Sequence, residues 1–265
     1  MGASVQISRR LGAIADLVTQ GNRLVDVGCD HGYLPVYLKL ENRIPSAIAT
    51  DVAEGPLSRA REHIEQYGLG SYIETRRCDG LADIGHGEGD TLVIAGMGGP
   101  LMERILNDGR SVWDDFQEMI LQPQSDIPHF RHFLLENGFH IIEEEMILED
   151  GKFYPIMKVK RNTETEPEVW SAQEEMFGKI LLERKHPVLE KFLERELRIH
   201  EEILEKLKDA SGETAIDRKK EVEEERQLIL AALDRYESKG TDSVAGEYIS
   251  GKSSRTLGQC RTFGW

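Results

Sequence analysis

Four short stretches put acids and glycines where apolar runs end. In DVGCDHGY (26–33), Gly28 and Gly32 bracket Cys29, Asp30 and His31, with Asp26 before them and Tyr33 after. IATD ends on Asp51, CDGL carries Asp79 and Gly80, and AGMGGP sets Ala95, Gly96, Met97, Gly98 and Gly99 in a row. A glycine straight after an apolar run lets the backbone turn sharply and approach a ligand closely. The spacing Gly-x-x-x-Gly differs from the Gly-x-Gly-x-x-Gly of dinucleotide sites, and carboxylates flank it. A pyrophosphate needs backbone donors with no carboxylate nearby, whereas Asp26 and Asp30 favour a cation. S-Adenosylmethionine, which carries a sulfonium and an ammonium, suits two acids at this turn. Asp51 follows by roughly 20 residues, where an acid can accept from both ribose hydroxyls, a feature that NAD shares. Asp79 can accept from an adenine amino group while Gly80 lets the backbone pass the ring. Taken singly, each stretch also reads as plain turn chemistry, with the aspartates as caps.

The acceptor of such a cofactor must sit beside the AGMGGP loop. Three glycines around one methionine serve neither packing nor propensity. Methionine is flexible and polarisable, suited to lining a flat base or the transferred methyl. LQPQ (121–124) ends another apolar run and offers Gln122 and Gln124 to a base edge. His31 and Tyr33 stand where they can position either ligand, although a histidine in such a turn also serves as a structural hydrogen-bonder.

These turns need strands before them and helices after them. The apolar runs predict strands at 24–27, 47–51, 72–77, 91–96, 119–122, 141–148 and 153–160. Helical spacing fills the gaps with YLPVYLKL, PLSRAREHIEQYG, PLMERILNDG and IPHFRHFLLENG. Such alternation predicts a parallel doubly wound α/β sheet, because parallel strands need crossovers. The last two runs are joined by EDGK, whose Asp-Gly predicts a tight antiparallel hairpin. Seven strands ending in an antiparallel pair is the Rossmann-like layout of class I methyltransferases; a nicotinamide-binding fold more often ends on another parallel strand.

The polar stretch RNTETEPE (161–168) reads as a linker closing a catalytic domain at 1–160. Beyond it, Leu193, Leu197, His200, Leu204 and Leu207 step by four and three, as do Val222, Arg226, Ile229, Leu233 and Tyr236. DASGETA (209–215) separates the two series, so 161–237 is expected to hold an antiparallel helical hairpin with a coiled-coil-like seam. Pro187 suits the first turn of its longer helix, with an earlier helix around Met176 to Leu182. Residues 238–265 are rich in Ser and Gly without a period and read as a flexible tail. A net charge of −15 argues against a basic surface spread over the whole chain. Three distant cysteines, without metal-ligand spacing, suit a reducing, cytoplasmic setting, and no apolar run approaches membrane-spanning length.

The motifs DVGCDHGYLP, IATD, CDGL, IAGMGG and ILQP, with SRRL at 8–11, together resemble the bacterial tRNA adenine-N1 methyltransferase family that modifies position 22, in the D-arm region. The likeness is close over residues 7–160, and the helical hairpin matches in character. The resemblance implies a cytoplasmic, S-adenosylmethionine-dependent enzyme acting on tRNA, expected to be a monomer. Cofactor binding is then expected of Asp26, Gly28, Asp30, His31, Gly32, Tyr33, Asp51, Asp79, Gly80, Ala95, Gly96 and Met97. Asp30, His31, Met97 and Gly98 are expected nearest the transferred methyl, and Arg10, Gly98, Gly99, Gln122 and Gln124 nearest the tRNA, with no metal. Gln124 stands where the family often has Asn. The competing readings are a nicotinamide-dependent oxidoreductase on a similar sheet, a non-catalytic RNA-binding module, and methyl transfer to another RNA, a protein or a small molecule.

Overall fold

The computed structural model describes residues 5–161 and 168–237. The apolar runs form one sheet of β1 (Leu24–Val27), β2 (Ala47–Asp51), β3 (Ile73–Arg77), β4 (Thr91–Met97), β5 (Glu118–Pro123), β6 (Phe139–Glu149) and β7 (Lys152–Arg161). Its order is β3-β2-β1-β4-β5-β7-β6. The first five strands pair in parallel, and β7 runs antiparallel to both β5 and β6. All four residues of β1 are buried, as befits a parallel strand covered on both faces. Asp150 and Gly151, with φ of 49° and 74°, make the two-residue turn between β6 and β7. Left-handed backbone at both positions is the hairpin turn that Asp-Gly encodes.

Helices α1 (Arg9–Leu17), α2 (Tyr33–Leu40) and α3 (Glu54–Gln66) bury Ile14, Leu34 and Leu57 in one cluster. Helices α4 (Gly99–Asp108) and α5 (Ile127–Glu136) bury Met102 and Phe130, with Trp113, in another. The four helices expected between strands are present, and α1 is an addition to the sequence reading. Its start is fixed from two sides: Ser8 Oγ accepts from Leu11 N at 3.2 Å, and Glu149 of β6 accepts from Arg9 N at 2.7 Å. Strand β1 lies between β2 and β4, so crossovers leave it in opposite directions and open a crevice at the carboxyl ends of β1 and β4.

The C-terminal part comprises α6 (Ala172–Phe177), α7 (Lys179–Glu183), α8 (Pro187–Lys206) and α9 (Glu213–Glu237). The single helix expected around Met176 to Leu182 is two short ones, broken at Gly178 with φ of 92°. Pro187 occupies the first turn of α8 as expected. Both predicted series face inward along an antiparallel helical pair: Leu193, Val222 and Ile229 are buried, and His200 Nε2 meets Glu225 Oε2 at 2.8 Å. The base of this pair packs on the sheet domain through Met146, Phe177, Leu181, Leu189 and Leu193. Residues 162–167, the core of the expected linker, and 238–265, the expected tail, lie outside the described residues. Among the described residues no helix is long and apolar enough to cross a membrane, and no cluster of His, Cys, Asp and Glu could hold a metal ion.

Candidate active site

Two cavities meet at the crevice. The first, about 340 Å³, is lined by Arg10, Leu11, Asp26, Gly28, Cys29, Asp30, Tyr33, Leu34, Asp51, Ala95, Gly96, Met97 and Gln124. The second, about 110 Å³, lies between the ends of β2, β3 and β4 and helix α4, among Val52, Asp79, Gly80, Leu101, Arg104 and Ile105. Gly28, Asp51 and Met97 border both. The expected acids of three separate turns thus come together in one elongated site.

The turn after β1 has the conformation that its sequence demands. Gly28, Asp30 and Gly32 have φ of 74°, 49° and 66°, so three of five residues are left-handed. A side chain on Gly28 would run into the Met97 methyl, which lies across the turn. Burial pushes the Asp26 carboxyl up to about 7, with the nearby Asp51 charge adding to the effect. Burial likewise pushes the Cys29 thiol up, which makes it a poor nucleophile. Asp30 is exposed and lies 3.5 Å from Arg59 Nη2 and 3.6 Å from His31 Nε2. Asp51 accepts from Ala53 N at 2.8 Å, which leaves its second oxygen for a ligand.

His31 and Gly32 belong to the turn but do not line the cavity. The His31 ring leans on Tyr33, centroids 5.4 Å apart, and His63 Nδ1 donates to the His31 carbonyl at 3.0 Å. Gly32 is buried against Ala60 at the start of α2. In the second cavity, Asp79 holds the Arg104 guanidinium through contacts of 3.1 and 3.4 Å. A Cβ on Gly80 would stand 2.9 Å from Ile105, so this glycine brings the chain against α4. Val52, Leu101 and Arg104 were not anticipated. Leu101 and Arg104 lie one helical turn apart in α4 and both border the second cavity.

The AGMGGP glycines have three separate causes. Gly96 has φ of 80° at a bulge between β4 and β5. A Cβ on Gly98 would stand 2.8 Å from Ser125 Oγ, and one on Gly99 2.7 Å from Ser125 O. Gly98 and Gly99 therefore seat the start of α4 on the loop after β5 rather than lining the cavity. Gln124 reaches the cavity wall. Gln122 does not, because it is fully buried with both ends of its amide engaged. Its Oε1 accepts from Arg10 Nη1 at 3.0 Å and Gly96 N at 3.1 Å, and its Nε2 donates to Pro123 O at 3.0 Å.

A sheet in this order, its terminal strand pair antiparallel, with a divided acidic site at the switch point, defines a class I methyltransferase. A sequence model of the TrmK family, tRNA (adenine(22)-N(1))-methyltransferase, matches residues 24–231, and the chain belongs to that family. The Bacillus subtilis tRNA (adenine(22)-N(1))-methyltransferase is 32% identical over 234 residues, 87% of this chain and 98% of the relative. The crystal structure of the B. subtilis m1A22 tRNA methyltransferase aligns with a TM-score of 0.79 at 30% identity, covering 87% of this chain and all of that one. That of a Streptococcus pneumoniae protein described as a putative tRNA (m1A22) methyltransferase, in complex with S-adenosyl-L-methionine, gives a TM-score of 0.75 at 35% identity over 86% of this chain. Family membership removes the nicotinamide reading.

Proposed function

We propose that this chain transfers the methyl group of S-adenosylmethionine to N1 of adenine 22 in tRNA, and that the two cavities divide the cofactor between them. The observation that carries this reading is the sharing of Asp51 and Gly28 by both cavities. Adenine fits the smaller one beside Asp79 and Gly80, under Val52 and Leu101. The ribose lies at Asp51, and the amino-acid end enters the larger cavity among Asp26, Asp30 and Ala95. Bound there, S-adenosylmethionine supplies an electrophilic methyl on a positively charged sulfur. Residues 1–160 serve as the catalytic unit and 161–237 as the helical unit. The cytoplasm and a monomeric state suit an enzyme of this class working on tRNA.

The chemistry asks little proton transfer of the chain. Adenine N1 carries a free lone pair, which forms the new N–C bond as the C–S bond breaks and its electron pair returns to sulfur. The base becomes cationic. The chain must expose the Watson–Crick edge, align N1 and tolerate that charge. Asp26 and Asp30 supply a negative potential, Met97 borders the methyl, and Gln124 stands at the wall for a base edge. The test is methyl transfer from labelled cofactor to unmodified tRNA, with the modified base mapped. Label at N1 of adenine 22, and none in tRNA carrying guanine there, is the expected result. Label at another nucleotide would overturn the substrate assignment.

A further inference from the structure

The cofactor proposed above ends in a zwitterionic amino-acid group, and its carboxylate faces a cavity rich in acids. Asp26, Asp30 and Asp51 all line the larger cavity. They suit the sulfonium, the ammonium and the ribose, but they repel a carboxylate. Arg10 is the sole Lys or Arg among the lining residues. We propose that Arg10 of α1 binds the carboxylate of the cofactor's amino-acid end.

One consequence of the proposed cofactor placement and two observations support this role. With adenine at the smaller cavity and ribose at Asp51, the amino-acid end points into the larger cavity, whose wall Arg10 lines. Arg10 is also held in place: its Nη1 donates to Gln122 Oε1 at 3.0 Å, and its guanidinium lies 5.5 Å from the centre of the Tyr154 ring. Gln122 is fully buried, and the same oxygen accepts from Gly96 N, so the arginine and the loop after β4 share one anchor. Finally, Arg10 forms no ion pair among the described residues, unlike Arg59 and Arg104, which are held by Asp30 and Asp79. Its remaining N–H donors match a carboxylate, which a guanidinium can grip through two parallel bonds.

The charge of the product argues against the alternative of an arginine placed for the target base. Methylation at N1 leaves that base cationic, and a guanidinium pinned beside Gly96 would oppose the charge as it forms. An anion at that position reverses the sign. With the carboxylate in place, Arg10 is neutralised before the base becomes positive.

This inference rests on the cofactor assignment, and a thermodynamic cycle separates the two. Calorimetry on the full chain would compare S-adenosylmethionine with its decarboxylated form, for wild type, Arg10→Met and Arg10→Lys. Arg10→Met should weaken binding of S-adenosylmethionine about 10- to 100-fold, as expected for loss of a charge-assisted hydrogen-bonded pair. Binding of the decarboxylated compound should be unchanged or tighter in that variant, and Arg10→Lys should recover part of the loss. An equal loss for both ligands would overturn the proposal, since it would mean that Arg10 shapes the cavity without touching the carboxylate. Unchanged cofactor affinity with weakened tRNA binding would overturn it too, by assigning Arg10 to a phosphate. If wild type bound neither compound, the cofactor assignment itself would fail.

Discussion

At the scale of single residues, the site depends on where a carboxylate is allowed to be charged. Asp26 is buried at the end of β1, and its carboxyl is pushed up to about 7 by burial and the Asp51 charge. A raised carboxyl favours the folded state only while it stays protonated. Its contribution is complete below the ordinary aspartate range and is lost as pH climbs through about 7. Asp26→Asn is therefore expected to melt at a higher temperature than wild type at pH 8 and close to it at pH 4. A cationic ligand reverses the preference, because it favours ionised Asp26 and expels its proton. Cofactor affinity in wild type should rise with pH between about 5.5 and 7, by at most about tenfold per unit, and Asp26→Asn should flatten that rise. A flat wild-type profile would place the ligand's cation elsewhere. In the proposed placement Asp51 accepts from the ribose hydroxyls. Asp51→Ala should weaken cofactor binding by about 1.5–3 kcal/mol for a charge-assisted bond, and unchanged affinity by calorimetry would remove Asp51 from the site.

At the scale of elements, the joint between the sheet and the helical hairpin is built from a buried ion pair. Arg131 of α5 and Glu144 of β6 are each 1% exposed. Arg131 Nη2 lies 2.9 Å from Glu144 Oε1, and its Nη1 donates to the carbonyls of Glu175 and Met176 at the end of α6. Glu144 Oε2 accepts from Ile180 N at the start of α7. The cation thus meets a helix C-terminus and the anion a helix N-terminus, which suits both macrodipoles. Gly178 sits between them, and a Cβ there would stand 2.6 and 2.7 Å from the two carboxylate oxygens. Gly178→Ala should cost at least about 2 kcal/mol in urea unfolding, from backbone strain and this contact; an unchanged midpoint would mean that the joint is loose. None of this was legible in the sequence, where Arg131 and Glu144 look like surface charges on amphipathic elements. Strands β1, β2, β4 and β5 were legible because burial on two faces leaves nearly unbroken apolar runs, and the β6–β7 turn because its Asp-Gly stands directly between two strand-like runs. The acids of the crevice were legible because each lies at or just beside the carboxyl end of a strand. The setting of Arg10 was not, because its partner Gln122 is 112 residues away and a buried amide looks like any other glutamine.

At the scale of the molecule, a chain of net charge −15 has to hold a polyanion, so its contacts must be local. The hairpin tip is the candidate that the charge distribution offers. Lys206, Lys208, Arg218, Lys219 and Lys220 are all exposed around the turn from α8 to α9. Arg218 lies 3.0 Å from Glu221, Lys208 3.4 Å from Glu205 and Lys220 3.8 Å from Glu224, exposed pairs of the kind that contribute little and yield easily to a phosphate. Lys206 and Lys219 have no acidic partner among the described residues. Cutting the chain near Arg161 would be a poor test of this surface, because it would strip the Arg131–Glu144 pair of its backbone partners in α6 and α7 and uncover Met146 and Phe153. Charge removal in the full chain avoids that damage. With Lys206, Lys219 and Lys220 replaced by alanine, the folded protein should bind cofactor as wild type does and keep its kcat at saturating tRNA. Its KM for tRNA should rise, and the slope of log affinity against log salt should flatten by roughly 0.7–0.9 for each phosphate no longer neutralised. The salt slope decides the matter, since a helix surface that is merely solvated would leave it unchanged.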